Sequence, residues 1–257
     1  MALIDQFPLL WVYIGTVILV VVAAEIGFQA GKWLQNRDSD SGKPLLTGPV
    51  VGGMLGLMAF LLGFCISIVI GQHSERKAMV VTEANAIGTA YLRADFLGEA
   101  DRKATRDLLR EYTEIRLAAA SDTSLYETAI TRSDEIHRQL WSIVTQNVAQ
   151  GYDSAIMALF VDSINQVIDV HSVRLAAIQL RLPRQLGTVL YVATLLTFLL
   201  VGVSSGFNGK RDTLSVLLFA LAFVTVFIII VDLDRPQEGL LTVSQSALSD
   251  LLAQMAH

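Results

Sequence analysis

Four stretches of the chain are continuously apolar, and each is long enough to form a membrane-spanning helix. They cover residues 8–24, 50–71, 185–206 and 213–231, and none contains Asp, Glu, Lys or Arg. A helix needs about 20 apolar residues to cross the hydrocarbon core of a bilayer. Only helices and closed barrels satisfy every backbone polar group there. Because the runs are unbroken, we predict an all-α integral membrane protein with four transmembrane helices.

The segment between the second and third apolar runs is polar and has a helical pattern. Residues 73–183 hold most of the charged residues, and their apolar positions recur at intervals of three and four. No proline interrupts residues 67–93, which read SIVIGQHSERKAMVVTEANAIGTAYLR. We therefore predict an inserted helical cytosolic domain, with the second transmembrane helix continuing into it.

The same periodicity predicts four helices in the polar segment. The alternation of apolar and polar stretches divides the chain into four domains. The helices are the extension of the second span to about Phe96, followed by residues 99–119, 125–151 and 153–181. The domains are 1–72 with two spans, 73–183 as the cytosolic domain, 184–232 with two spans, and a tail at 233–257. In the tail, apolar residues between Leu240 and Met255 predict an amphipathic helix, which either docks on the polar domain or lies at the membrane interface.

Composition supports the membrane class and argues against several others. Hydrophobic residues make up 53% of the chain, charged residues 17%, and the net charge of −5 is not clustered. We therefore expect no nucleic-acid partner. The single cysteine, Cys65, lies inside an apolar run without a partner. Since catalytic motifs and metal-ligand spacings are also missing from the sequence, we expect no enzyme activity, cofactor or metal.

Small residues recur along one face of the second span, and larger apolar residues occupy the adjacent face. The small residues are Gly52, Gly56, Ala59, Gly63 and Ser67. Small residues at this spacing let membrane helices approach closely. They pack either within the chain, against the first or third span, or against neighbouring subunits around an axis.

Phe60, Phe64 and Ile68 lie on the adjacent face at intervals of four. If the second span surrounds an axis, these side chains form a hydrophobic constriction, which can gate a pore by losing its water. The alternative is that they face lipid or pack as ordinary apolar residues. Glu25, Asp232, Asp234 and Arg235 lie at span ends, where we expect interfacial anchoring, with an ion site as the alternative for Glu25.

Polar residues also occur on two helices that enter the membrane from the polar domain. Glu83 and Asn85 lie on the extension of the second span, and Asn165, Asp169 and Arg174 lie on the helix before the third. Buried polar groups need hydrogen-bond partners. We interpret the set as a clamp between the two helices, or alternatively as a ligand or ion site on a vestibule wall.

Several of these segments resemble the bestrophin-like family of bacterial and plant membrane proteins. The matching stretches are ERKAMVVTEANAIGTAYLRADFL at 75–97, HRQLWSI at 137–143, INQVIDVHSVRLAAIQLRLP at 164–183 and LDRPQEGLLTVS at 233–244. The motif around Glu83, Asn85 and Gly88 is the most specific of them. The resemblance implies a homo-oligomer, pentameric by analogy, whose second span lines a central pore.

Two functions follow as expectations. The first is an oligomeric ion channel in the inner membrane, with its termini and polar domain in the cytoplasm and the bilayer, its own copies and inorganic ions as partners. The second is a non-conducting scaffold or sensor whose cytosolic helices bind a protein partner. The counts of Lys and Arg beside the spans are nearly equal on the two sides, so the cytoplasmic placement follows partly from the resemblance.

Overall fold

The computed structural model of the protein is all-α, as the sequence predicts. It describes residues 7–37, 47–152, 154–209, 213–235 and 239–256, and these contain no strand. The helices are α1 (Leu9–Arg37), α2 (Thr47–Arg93), α3 (Glu99–Ser121), α4 (Tyr126–Ala149), α5 (Ala155–Gln179), α6 (Arg184–Phe207), α7 (Thr213–Asp234) and α8 (Ser246–Gln254). Four helical segments are long and apolar enough to cross a membrane. The prediction of four spans is confirmed.

The chain divides into two compact units, and α2 contributes to both. The membrane unit comprises Met1–Gly71 and Arg181–Leu241, and the polar unit comprises Gln72–Leu180 and Thr242–His257. At 47 residues, α2 is the longest helix in the described chain. It runs without interruption from the apolar sequence into the polar sequence, as the absence of a turn signal predicts.

In the membrane unit, α1 and α6 approach each other backbone to backbone. Side chains added at Gly27 or Gly31 would overlap main-chain atoms of α6, and side chains added at Gly202 or Gly206 would overlap main-chain atoms of α1. Small residues permit this contact, and van der Waals packing drives helix association in a bilayer. The small-residue contact inside the described membrane unit therefore lies between the first and third spans.

The second span contributes one ridge of side chains to the core of the membrane unit. Met58, Cys65 and Val69 are fully buried and Leu62 is 8% exposed, at intervals of three and four. They belong to one cluster with apolar residues of α6 and α7, including Phe198, Val224 and Phe227. This ridge fixes which face of α2 points away from the rest of its own chain.

The polar unit has a separate core built from α2, α3, α4, α5 and α8. Its fully buried large side chains include Ile87, Leu109, Tyr112, Ile136, Leu140, Phe160 and Ile164. Side-chain caps help to set the helix boundaries, since Ser154 accepts a hydrogen bond from the Met157 amide at the start of α5. Asp122 accepts one from the Ser124 amide in the polar joint before α4.

The main difference from the predicted helices is in the tail. Its helix begins at Ser246, whereas residues 239–245 are not helical, and Leu240 is 85% exposed. The apolar pattern that starts at Leu240 therefore predicts a longer helix than the structure has. The helix itself docks on the polar unit through Leu248, which is fully buried, and Met255. The predicted first residue of the helix before the third span, Asp153, lies outside the described residues.

Candidate pore-lining helix and buried charge cluster

The two aromatic residues predicted to form a gate are exposed in the single chain. Phe60 is 68% exposed and Phe64 49% exposed, while Ile68 is half-buried. The two Phe rings are stacked, with centroids 6.4 Å apart and an interplanar angle of 12°. They lie on the side of α2 opposite the buried ridge of Met58 and Cys65. The described part of the chain therefore leaves a stacked aromatic surface uncovered.

The predicted small-residue face of α2 is also uncovered. Gly52, Gly56, Ala59, Gly63 and Ser67 are all exposed. A β-carbon added at any of the three glycines would meet no other described atom within 4 Å beyond the helix's own backbone. Gly27 and Gly202 show the opposite behaviour, because their helices are in contact. The described chain thus leaves the α2 small-residue face free.

The polar unit encloses a cluster of charged side chains around Glu83. The Tyr112 hydroxyl donates a hydrogen bond of 2.6 Å to the Glu83 Oε1 atom, and the Arg116 Nε donates one of 3.1 Å to the same oxygen. Arg174 forms an ion pair with Glu83 Oε2 and donates a hydrogen bond of 2.7 Å to the side chain of Gln245. One carboxylate therefore joins α2, α3 and α5, and Arg174 links this group to the segment before α8.

Burial controls the protonation of this cluster. Burial raises the pKa of the Tyr112 hydroxyl and lowers the pKa of Arg174 to about 10. The lowered value still leaves Arg174 charged at neutral pH. Glu83 is 0% exposed and the side chains of Arg116 and Arg174 are 4% and 6% exposed, so the charges compensate each other with little help from water.

Two histidines extend the cluster beyond Tyr112. His171 Nδ1 lies 3.0 Å from the Tyr112 hydroxyl oxygen, and its ring meets that of His137 edge-on with centroids 4.9 Å apart. Burial, reinforced by the positive charge of Arg116, lowers the pKa of His171 to about 3. Burial also lowers the pKa of His137 to about 4. Both rings are therefore neutral at physiological pH, and His171 can donate to Tyr112, which donates to Glu83.

The structure brings together only part of the predicted clamp. Glu83 and Arg174 meet, but Asn85, Asn165 and Asp169 are exposed on the outer faces of α2 and α5. Tyr112 and Arg116 complete the cluster, although the sequence reasoning did not include them. Their signal was present, since they lie four residues apart on the buried face of α3, which also contains Leu109.

Charged residues at the ends of the apolar helices bind the main chain. Asp232 accepts hydrogen bonds from the Leu240 and Leu241 amides, and Asp234 accepts one of 2.6 Å from the Leu182 amide. Both carboxylates are nearly fully buried, at 3% and 2% exposure. Each carboxylate therefore binds main-chain amides inside the membrane unit. This is a structural role beyond the expected anchoring at the membrane interface. Glu25 is half-buried and accepts a hydrogen bond from Gln29.

The three consecutive charged residues where α2 enters the polar unit point in different directions. Arg76 is 4% exposed and donates hydrogen bonds to the carbonyl oxygens of Ala177 and Leu180, at 3.4 and 2.6 Å. Glu75 and Lys77 are exposed. Neighbours on a helix are separated by about 100° around its axis, so Glu75 and Lys77 occupy different sides of α2.

The helices and the cluster together define a class: a four-span, all-α membrane protein with a helical polar unit. Within this class, the chain belongs to the Bestrophin-like domain family, which matches residues 17–248. The resemblance noted in the sequence is thereby confirmed. No curated protein matches the chain.

Solved structures show the same fold at low sequence identity. A point variant of a bacterial bestrophin homologue from Klebsiella pneumoniae has a TM-score of 0.71 at 15% identity, covering 95% of this chain and 97% of that chain. A structure of a bacterial bestrophin homologue from the same organism, obtained by Zn-SAD phasing, has a TM-score of 0.65 at 17% identity, with coverages of 94% and 97%. A membrane-protein variant has a TM-score of 0.66 at 15% identity, with coverages of 95% and 95%.

Proposed function

We propose that copies of this chain assemble into a pentameric ion channel in the inner membrane, with α2 lining the pore and Phe60, Phe64 and Ile68 forming a hydrophobic gate. The termini and the polar unit lie in the cytoplasm. The lipid bilayer, other copies of the chain and inorganic ions are its partners. The observation that carries the proposal is the exposed pair of stacked rings, Phe60 and Phe64, on the uncovered face of the longest described helix.

Packing considerations support assembly through α2. Its small-residue face is free of described intrachain contacts, whereas α1 and α6 use their glycines against each other. Close approach through small residues is a common mode of helix association in membranes. Neighbouring copies that pack along Gly52, Gly56 and Gly63 turn the adjacent aromatic face toward the common axis. Membership in a bestrophin-like family supports the same arrangement.

Cysteine cross-linking tests the position of this face. The only native cysteine, Cys65, is fully buried, so Phe64→Cys adds one accessible thiol. We expect mild oxidation to join copies carrying Phe64→Cys. The matched variant Ile18→Cys, at a 56% exposed position of α1, should remain uncross-linked. Cross-linking of Ile18→Cys alone would place α1 at the axis and contradict the proposal.

Ion flux tests the gate itself. Purified protein in liposomes should pass ions, and Phe64→Ala should raise the flux because a wider, less apolar constriction stays wet more often. The control Ile18→Ala removes a similarly exposed apolar side chain of α1 and should leave the flux unchanged. No flux in any of the three proteins, at a density where a known channel gives a signal, would contradict conduction.

A second function is favoured by exposed apolar side chains on the polar unit. Val148, Tyr152 and Ile156 are 48%, 60% and 55% exposed around the connection between α4 and α5. Such side chains on a water-facing unit are typical of a protein-binding surface. A non-conducting scaffold or sensor would have a closed central axis and a specific partner cross-linked to residues 99–151. An image of the particle down its symmetry axis distinguishes the two functions, because it shows the subunit number and any central hole.

A further inference from the structure

The line of α2 that continues from Phe64 carries one ionisable side chain beside the constriction, and this residue is acidic. Glu75 follows Phe64 by eleven residues, which is just over three helical turns, so the two lie within about 20° of each other around the helix axis. Glu75 is exposed. The gate residues and this carboxylate therefore follow one another along the same line of the helix.

The two cations beside Glu75 lie away from this line. Arg76 is buried and donates its hydrogen bonds to the carbonyl oxygens of Ala177 and Leu180. Lys77 follows Phe64 by thirteen residues and lies about 140° from it around the axis. Although the local sequence Glu75–Lys77 has a positive sum of charges, the face that continues from Phe64 is negative.

Beyond Glu75 the exposed face is uncharged over several turns. Ala78, Val81, Thr82, Asn85 and Leu92 are exposed, and Thr89 is half-buried. The carboxylate in this stretch, Glu83, lies on the buried side, where it bonds Tyr112 and Arg116. Within about 60° of the line of Phe64, Glu75 is the only ionisable side chain of α2 between Phe60 and Leu92. Arg93, at the end of the helix, lies on the same line eighteen residues beyond Glu75 and forms an ion pair with Asp162.

We propose that the channel prefers cations to anions and that Glu75 is the residue that determines this preference. The inference rests on the proposed function, because a ring of Glu75 side chains exists only if α2 surrounds the pore. Rings of Asp or Glu are typical of cation channels. Each copy contributes one carboxylate at the polar end of the hydrophobic constriction, so the ring attracts cations and repels anions there.

Reversal potentials in planar bilayers under a KCl gradient test the preference. The wild-type protein should have a potassium-to-chloride permeability ratio above one. Glu75→Gln should lower the ratio several-fold, Glu75→Lys should invert it, and Glu75→Asp should retain it. The matched control Lys77→Gln, at the exposed neighbouring position, should leave the ratio unchanged because that side chain points away from the line of Phe64.

A measurement on the unaltered protein gives an independent check. Raising the salt from 0.1 M to 1 M shortens the Debye length from about 10 Å to about 3 Å, so the permeability ratio should move toward one. Wild-type currents that favour chloride, or a ratio that Glu75→Gln does not change, would overturn the role of Glu75 and leave conduction intact. An absence of current in all variants would overturn the channel itself, and the inference with it.

Discussion

Glu83 of α2 and Arg174 of α5 form an ion pair that is almost completely removed from solvent, with side chains 0% and 6% exposed. Arg116 of α3 shares the same carboxylate. Burying charges is costly, and the cost is offset only while each charge keeps its partners. The polar unit therefore depends on one acidic residue to compensate two buried cations.

Replacing Glu83 by Gln should destabilise the polar unit strongly. The change leaves Arg116 and Arg174 buried without a counter-charge, so we expect the free energy of unfolding to fall by about 3–5 kcal/mol. Denaturant or thermal unfolding of the purified protein measures the loss. The control Asp169→Asn removes an exposed carboxylate from α5 and should change stability little. Equal stabilities for the two variants would contradict the structural role of the cluster.

Acid should weaken the polar unit through His137 and His171. Their pKa values of about 4 and about 3 in the folded protein lie below the ordinary value of 6.5, because burial disfavours the charged ring. The unfolded chain therefore binds protons that the folded chain does not. The stabilisation is complete above pH 6.5 and is lost as the pH falls toward the folded values, by up to about 1.4 kcal/mol per pH unit for each histidine.

The slope of stability against pH between 6.5 and 4.5 checks this expectation. His137→Asn should make the slope shallower, since one of the two depressed groups is removed. The control Asn165→Ala changes an exposed residue of α5 that carries no ionisable group, and it should keep the wild-type slope. A wild-type slope near zero over this interval would contradict the burial of both rings in solution.

The architecture was largely predictable because it follows from periodicity and length. Four apolar runs without charges can only be accommodated as spans, and the absence of proline between Ser67 and Arg93 predicts the continuous α2 helix. Helix ends were less predictable. Leu240 and Leu241 in the tail match a helical pattern, but they lie in a non-helical segment. Their amides donate hydrogen bonds to Asp232 instead.

The buried cluster was predictable only in part, because a list of polar residues does not show which faces of their helices meet. Asn165 and Asp169 share a face with each other, and that face is exposed. Arg174 lies on the other side of α5, with His171 and Val167. The missing information is the rotation of each helix about its axis, which is set by the packing of all five helices of the polar unit.

The same spacing of small residues occurs in α2 and in α6, but these residues have different surroundings in the structure. Gly202 lies against the main chain of α1, whereas Gly56 has open space beside it in the described chain. We expect Gly202→Val to destabilise the membrane unit by at least about 1–3 kcal/mol, because its side chain would overlap the main chain of α1. We expect Gly56→Val to preserve the fold of each copy but to weaken assembly. Thermal unfolding and size-exclusion chromatography in detergent separate these results.

The docking of α8 provides the last prediction. Leu248 is fully buried in the polar core, and Tyr91 and Arg110 both donate hydrogen bonds to the Met255 carbonyl oxygen. Leu248→Asp places a carboxylate in this apolar site and should lower the unfolding temperature and speed proteolysis of the tail, because an unpaired buried charge is costly. Ser249→Asp introduces the same charge at the adjacent exposed position and should change neither property. If both variants unfold and are cleaved like the wild type, α8 is not held on the polar unit in solution.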